Sequence, residues 1–114
     1  MATYRAAFGD VEIARTDHPV LLEGNVYFPP DSVRAGCLTR TRRRSLCPWK
    51  GVAGYFTVSI DGVVIGNVAW TYRHPLPLAR RIKYHVAFGS GVSVTEVPRA
   101  PTVSGAEAEP VERG

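Results

Sequence analysis

Cys47 lies in the segment Cys47-Pro48-Trp49-Lys50-Gly51, just after the run Arg40, Arg42, Arg43 and Arg44. The thiolate is the reactive form of cysteine, and neighbouring cations favour it over the thiol. The pattern makes Cys47 a candidate nucleophile and Lys50 a candidate electrostatic stabiliser of developing negative charge. The same residue types also suit an inert cysteine packing a turn, because free cysteine is among the most buried side chains.

Trp49, Tyr55, Trp70 and Tyr72 fall close to this segment, and Tyr27 precedes it. On a sheet, Trp70 and Tyr72 point to one face. Together with Cys47 and Lys50 these aromatics describe a site on an open sheet face for an anionic or aromatic small molecule. They equally describe the packed core of a small sheet. Arg40, Arg42, Arg43 and Arg44 are candidate anion-binding residues on an exposed loop from Cys37 to Leu46. That loop supports a rival reading, a non-catalytic module holding an acidic protein or nucleic acid through phosphate attraction. A short solvated loop has the same composition.

His18, His74 and His85 share no metal-ligand spacing with Cys37 or Cys47, so no metal is expected. No glycine-rich phosphate loop or Ser-His-Asp order is present, and no cofactor is expected.

The elements that must position these groups are strands. Nine prolines and eleven glycines in 114 residues favour many turns and short elements. Val11–Ala14 alternates as a half-buried strand, and Gly24-Asn25 joins Val20–Glu23 to Val26–Phe28. Asp31 or Ser32 caps a short helical turn through Val33–Ala35. The strongest signal is a hairpin: Val52–Ile60 and Val63–Tyr72 flank Asp61-Gly62, with a bulge or twist point at Gly66. Leu76–Lys83 is predicted as the one short helix, with Leu78 and Ile82 sharing its buried face. Val86–Phe88 and Val92–Val94 close the fold. The expected architecture is mainly β, a β-rich α+β domain with one twisted antiparallel sheet or open barrel. It spans residues 1–98, and 99–114 has the Pro, Ala, Glu, Ser and Gly composition of a disordered tail.

The net charge of +4 is unevenly spread. Residues 1–31 carry −3, residues 32–95 carry +9 and the remainder −2, counted from the sequence. Such blocks speak to partners, or to pairing of the acidic N-terminal strands with the basic middle. No run reaches the ~18 apolar residues of a membrane span, and no basic-then-apolar leader opens the chain. The expectation is a cytoplasmic protein with both thiols free.

The segments Glu23-Gly24-Asn25-x-Tyr27-Phe28-Pro29-Pro30-Asp31-Ser32-Val33, Cys47-Pro48-Trp49-Lys50-Gly51-x-Ala53-x-Tyr55 and Ala69-Trp70-x-Tyr72, with Pro75 and Ala87-Phe88, form a pattern. It resembles the bacterial domain-of-unknown-function family 427, sometimes labelled a nucleotidyltransferase-type domain, over about Arg5 to Val97. The resemblance implies a compact, mainly β fold with a short helix. It also implies Thr and His or Thr before the Cys-Pro, where this chain has Arg44-Ser45-Leu46, leaving Ser45 to stand in for a hydroxyl. Metal-assisted nucleotidyl transfer needs clustered carboxylates. The basic middle has only Asp61, so Asp10, Glu12 or Glu23 would have to fold across.

Overall fold

The computed structural model describes residues 2–97; the expected tail at 99–114 lies outside them. Among these residues nine strands run in chain order: β1 (Thr3–Phe8), β2 (Val11–Thr16), β3 (Val20–Leu22), β4 (Asn25–Tyr27), β5 (Leu38–Cys47), β6 (Gly51–Ile60), β7 (Val63–Tyr72), β8 (Val86–Phe88) and β9 (Ser93–Val97). The fold is mainly β and antiparallel, and its strands divide among three sheets ordered β2-β1-β9, β3-β4 and β5-β6-β7-β8, none closed into a barrel.

The β6–β7 hairpin is where the residues predict it. Asp61 and Gly62 have φ of 48° and 81°, the left-handed pair that a two-residue turn matched to strand twist requires. The register shifts opposite Gly66, Asn67 and Val68, where Asn67 is also left-handed at 52°. The glycine thus marks a real bulge.

Three local expectations are corrected. Cys37–Leu46 is no loop: Leu38–Cys47 is a ten-residue strand paired with β6 from Leu38↔Val58 to Cys47↔Gly51. Backbone pairing with a long neighbour overrides the poor strand propensity of arginine. Between Arg40 and Arg44 the register shifts, so Thr41, Arg42 and Arg43 bulge opposite Tyr55. A charged bulge on an edge strand blocks further strand pairing.

The second correction concerns the helix, which is a 3-10 turn over Pro77–Ile82. Ala79 and Ile82 are buried at a spacing of three, while Leu78 is 84% exposed. The tighter turn repeats every three residues, so an i,i+4 pair cannot share its inner face. Third, the turn placed at Val33–Ala35 is a 3-10 turn over Pro30–Ser32, and Val33 is already extended.

Strand β1 gave little signal because its centre is Ala6-Ala7, yet it pairs on both sides, with β2 and β9. The central sheet packs on both faces. On one, Phe28 and Phe88 meet edge to face at 5.6 Å among Ile13, Val58 and Val86. On the other lie Tyr27, Tyr72, Ala79, Ile82 and Ala87.

Candidate functional site

Period-two geometry sorts the chemistry of β5–β8 onto opposite faces. On the first face, Ala53 and Tyr55 of β6, and Trp70 and Tyr72 of β7, pair directly across the hairpin. Cys47 and Trp49 pack against the same cluster. This face is covered: Tyr27 of β4 and Ala79 and Ile82 of the Pro77–Ile82 turn are buried with Tyr72, and Val20 and Leu22 of β3 pack against them.

Lys50 is held there by the turn after β5. Gly51 has φ 111°, and a Cβ on it would stand 3.3 Å from the His74 carbonyl oxygen. That close approach lets the Leu76 N–H donate to the Lys50 carbonyl at 2.9 Å. The Lys50 side chain is 9% exposed, and its ammonium pairs with Glu23 Oε1. It also lies 5.5 Å from the centre of the Trp49 ring and 5.7 Å from that of Tyr72. Burial works to lower the Lys50 pKa, but the Glu23 carboxylate, helped by Tyr27, Tyr72 and Cys47, outweighs it and the net shift is upward. Glu23 is pulled down by its hydrogen bonds from Lys50 and Trp49. Burial pushes the Tyr72 phenol up, against the opposing pull of Lys50.

Of the residues singled out from sequence, Cys47, Lys50, Tyr27, Trp49, Trp70 and Tyr72 are therefore brought together. Trp70 Nε1–H donates to Tyr27 Oη at 3.3 Å, and the Tyr55 and Trp70 rings lie 6.2 Å apart, tilted by 45°. Ser45 Oγ shares a 2.9 Å hydrogen bond with Tyr55 Oη. Sequence reasoning missed Glu23 as the partner of Lys50. Its only signal was the acidic block facing a basic one.

The second face is different. Arg44 and Arg40 of β5 and Arg73 after β7 line a cavity of about 470 Å³ with His74, Val52 and Leu76, and no acid is among its lining residues. None of these three arginines is in an ion pair among the described residues. Arg44 donates from Nη1 to the Thr41 and Arg43 carbonyls at 2.8 Å each and lies over Gly54. Arg42 is not among the cavity's lining residues, and neither is Arg43, whose guanidinium sits 5.2 Å over the Tyr55 ring. The arginine run is thus split, with Arg40 and Arg44 in the cavity and Arg42 and Arg43 outside it. Arg73 was the missed member. The alternation that puts Trp70 and Tyr72 on one face puts Thr71 and Arg73 on the other.

Among the described residues, no three His, Cys, Asp or Glu side chains gather to hold a metal ion. No helix among the described residues is long and apolar enough to cross a membrane.

The sequence model described as Domain of unknown function (DUF427) matches residues 2–98. The chain belongs to the DUF427 family. Among curated proteins, none matches it. In this DUF427 domain the CPxKG and AWxY motifs meet around Lys50, where Gly51, Lys50 and Tyr72 fix the join between β6, β7 and the His74–Leu76 segment.

Proposed function

We propose that this DUF427 domain binds a small anionic molecule, and that it does so on the arginine face of the central sheet. One observation carries the reading: a cavity of about 470 Å³ walled by Arg40, Arg44 and Arg73, with no acidic residue among its lining residues. Guanidinium groups match the geometry of carboxylate and phosphate oxygens, so three of them around one hollow favour such a ligand. With apolar Val52 and Leu76 among its walls, the hollow suits a small molecule better than a polymer backbone.

The opposite face serves this reading as framework. Its one buried cation among the described residues already has a carboxylate, so an anion arriving there would compete with Glu23 for Lys50. Catalysis by Cys47 with Lys50 requires that carboxylate to move aside.

Inorganic phosphate tests the binding reading. Added at low salt, it should raise the melting temperature of the wild-type protein, because a ligand that binds only the native state stabilises it. The Arg40→Met/Arg73→Met double variant should show no rise. Absence of a rise in the wild type would contradict the proposal. Tight binding to an RNA or DNA oligomer that weakens steeply with salt would favour the polyanion-binding alternative instead.

A further inference from the structure

A second cavity, of about 430 Å³, adjoins the first and shares Arg40 and Arg73 with it. Its other walls include Thr71, Phe56, Leu38 and Tyr84. Thr71 is 5% exposed, and its Oγ1 is a buried polar atom with no hydrogen-bond partner among the described residues. Unpaired buried hydroxyls are rare because they lose their bonds to water and gain nothing in return. A hydroxyl hydrogen rotates freely, so this one can donate to a ligand oxygen once a small shift of its covering side chains lets that oxygen in. Tyr84 adds a second irregularity. It holds a left-handed φ of 60°, uncommon for a bulky residue, fixed by its N–H donating to the Tyr72 carbonyl at 3.0 Å. Strain of this kind concentrates where a side chain must be aimed at a ligand.

Resting on the anion-binding reading above, we infer that the ligand is a phosphate monoester of a flat, apolar alcohol. Its phosphate sits between Arg40, Arg73 and the Thr71 hydroxyl, and its organic part lies against Phe56 and Tyr84. The donor set selects the head group. Two guanidiniums and a hydroxyl supply more donors than one carboxylate can accept, and no acid offsets their charge. A phosphate monoester is doubly charged near neutral pH and presents three terminal oxygens. The wall selects the tail. A bare anion would leave the ring of Tyr84, already 44% exposed, and the side of Phe56 in water, whereas an aromatic ester covers both. The proposal is one of binding and involves no bond-making step.

Calorimetric titration of the full chain with phenyl phosphate and with inorganic phosphate tests it. Phenyl phosphate should bind about tenfold more tightly, the effect of covering part of one ring. Thr71→Val should weaken both probes by about tenfold, the loss of one hydrogen bond to a charged group. It should also raise the melting temperature of the ligand-free protein, since it removes an unpaired buried oxygen. Thr71→Ser should keep the affinity for both. Tyr84→Ala should weaken phenyl phosphate alone. Equal affinity for the two probes would overturn the ester while leaving the anion site standing. Unchanged binding by Thr71→Val would overturn the role of the hydroxyl. If neither probe binds the wild type, this inference and the reading beneath it both fall.

Discussion

The carboxylate of Glu23 reaches the ammonium of Lys50 across 27 positions of sequence, and its other oxygen accepts the Trp49 indole N–H at 3.0 Å. One side chain thereby ties the turn between β3 and β4 to the turn between β5 and β6. Lys50→Met should lower the melting temperature by about 5–10 °C, the shift that 1–2 kcal/mol produces in a domain of this size. The effect is smaller than for a wholly buried pair, because Glu23 is 45% exposed and stays hydrated when its partner is gone.

The same pair sets a pH window. Glu23 titrates below its ordinary 4.5 in the folded chain. Its contribution is therefore present above that value and is lost as pH falls through the lowered one. Lys50 titrates above its ordinary 10.5. Its contribution is present below that value and is lost as pH rises through the raised one. Thermal melts of Glu23→Gln across pH 3–6 should show a shallower acid decline than wild type. An identical decline would mean the pair does not contribute.

Cys37 and Cys47 should differ sharply in reactivity. Cys37 is 3% exposed, and burial pushes its thiol up, whereas Cys47 is half-buried. Brief iodoacetamide treatment of the folded protein followed by peptide mapping should label Cys47 about tenfold faster or more. Equal labelling would indicate that the domain opens to expose both. Lys50→Met separates a nucleophile from a packing residue: selective slowing of Cys47 marks an influence of the ammonium on its sulfur.

The 3-10 turn gives a clean contrast. Ile82→Ala removes a fully buried side chain and should cost about 2–5 kcal/mol, read from denaturant unfolding. Leu78→Ala, four residues earlier, should change stability by less than about 0.5 kcal/mol. Comparable losses would restore the α-helical face predicted from the sequence.

Much of this organisation is written locally and some of it is not. The β6–β7 hairpin, the Asp61-Gly62 turn and the Gly66 bulge are legible because their pairings propagate outward from one local turn, from Ile60↔Val63 to Ala53↔Tyr72. Strand β5 is not: seven of its ten residues are polar or charged, and only its pairing with β6 makes it extended. The grouping of Cys47, Trp49 and Lys50, and of Trp70 with Tyr72, follows from motif spacing and alternation, whereas Tyr27 joins them across 43 positions through the Trp70 indole. Glu23 and Arg73 complete two sites through contacts between strands distant in sequence, and no periodicity announces a partner 27 residues away.

The split of the arginine run gives its own prediction. Arg42→Glu and Arg43→Ala lie on the edge bulge outside the cavity, and should leave phosphate binding within about twofold of wild type. Arg73→Met should reduce it by about tenfold or more, as the loss of a charge-assisted contact does. The reverse ranking would move recognition onto the sheet edge and favour a polyanionic partner.

The most direct measurement is the map of amide chemical-shift changes as phenyl phosphate is titrated into the labelled protein. Binding on the arginine face predicts the largest changes at Arg40, Arg44, Gly54, Thr71, Arg73 and Tyr84, with Glu23, Tyr27 and Trp49 little affected. Changes centred on Glu23, Trp49 and Lys50 would place the ligand on the opposite face of the sheet and contradict the account.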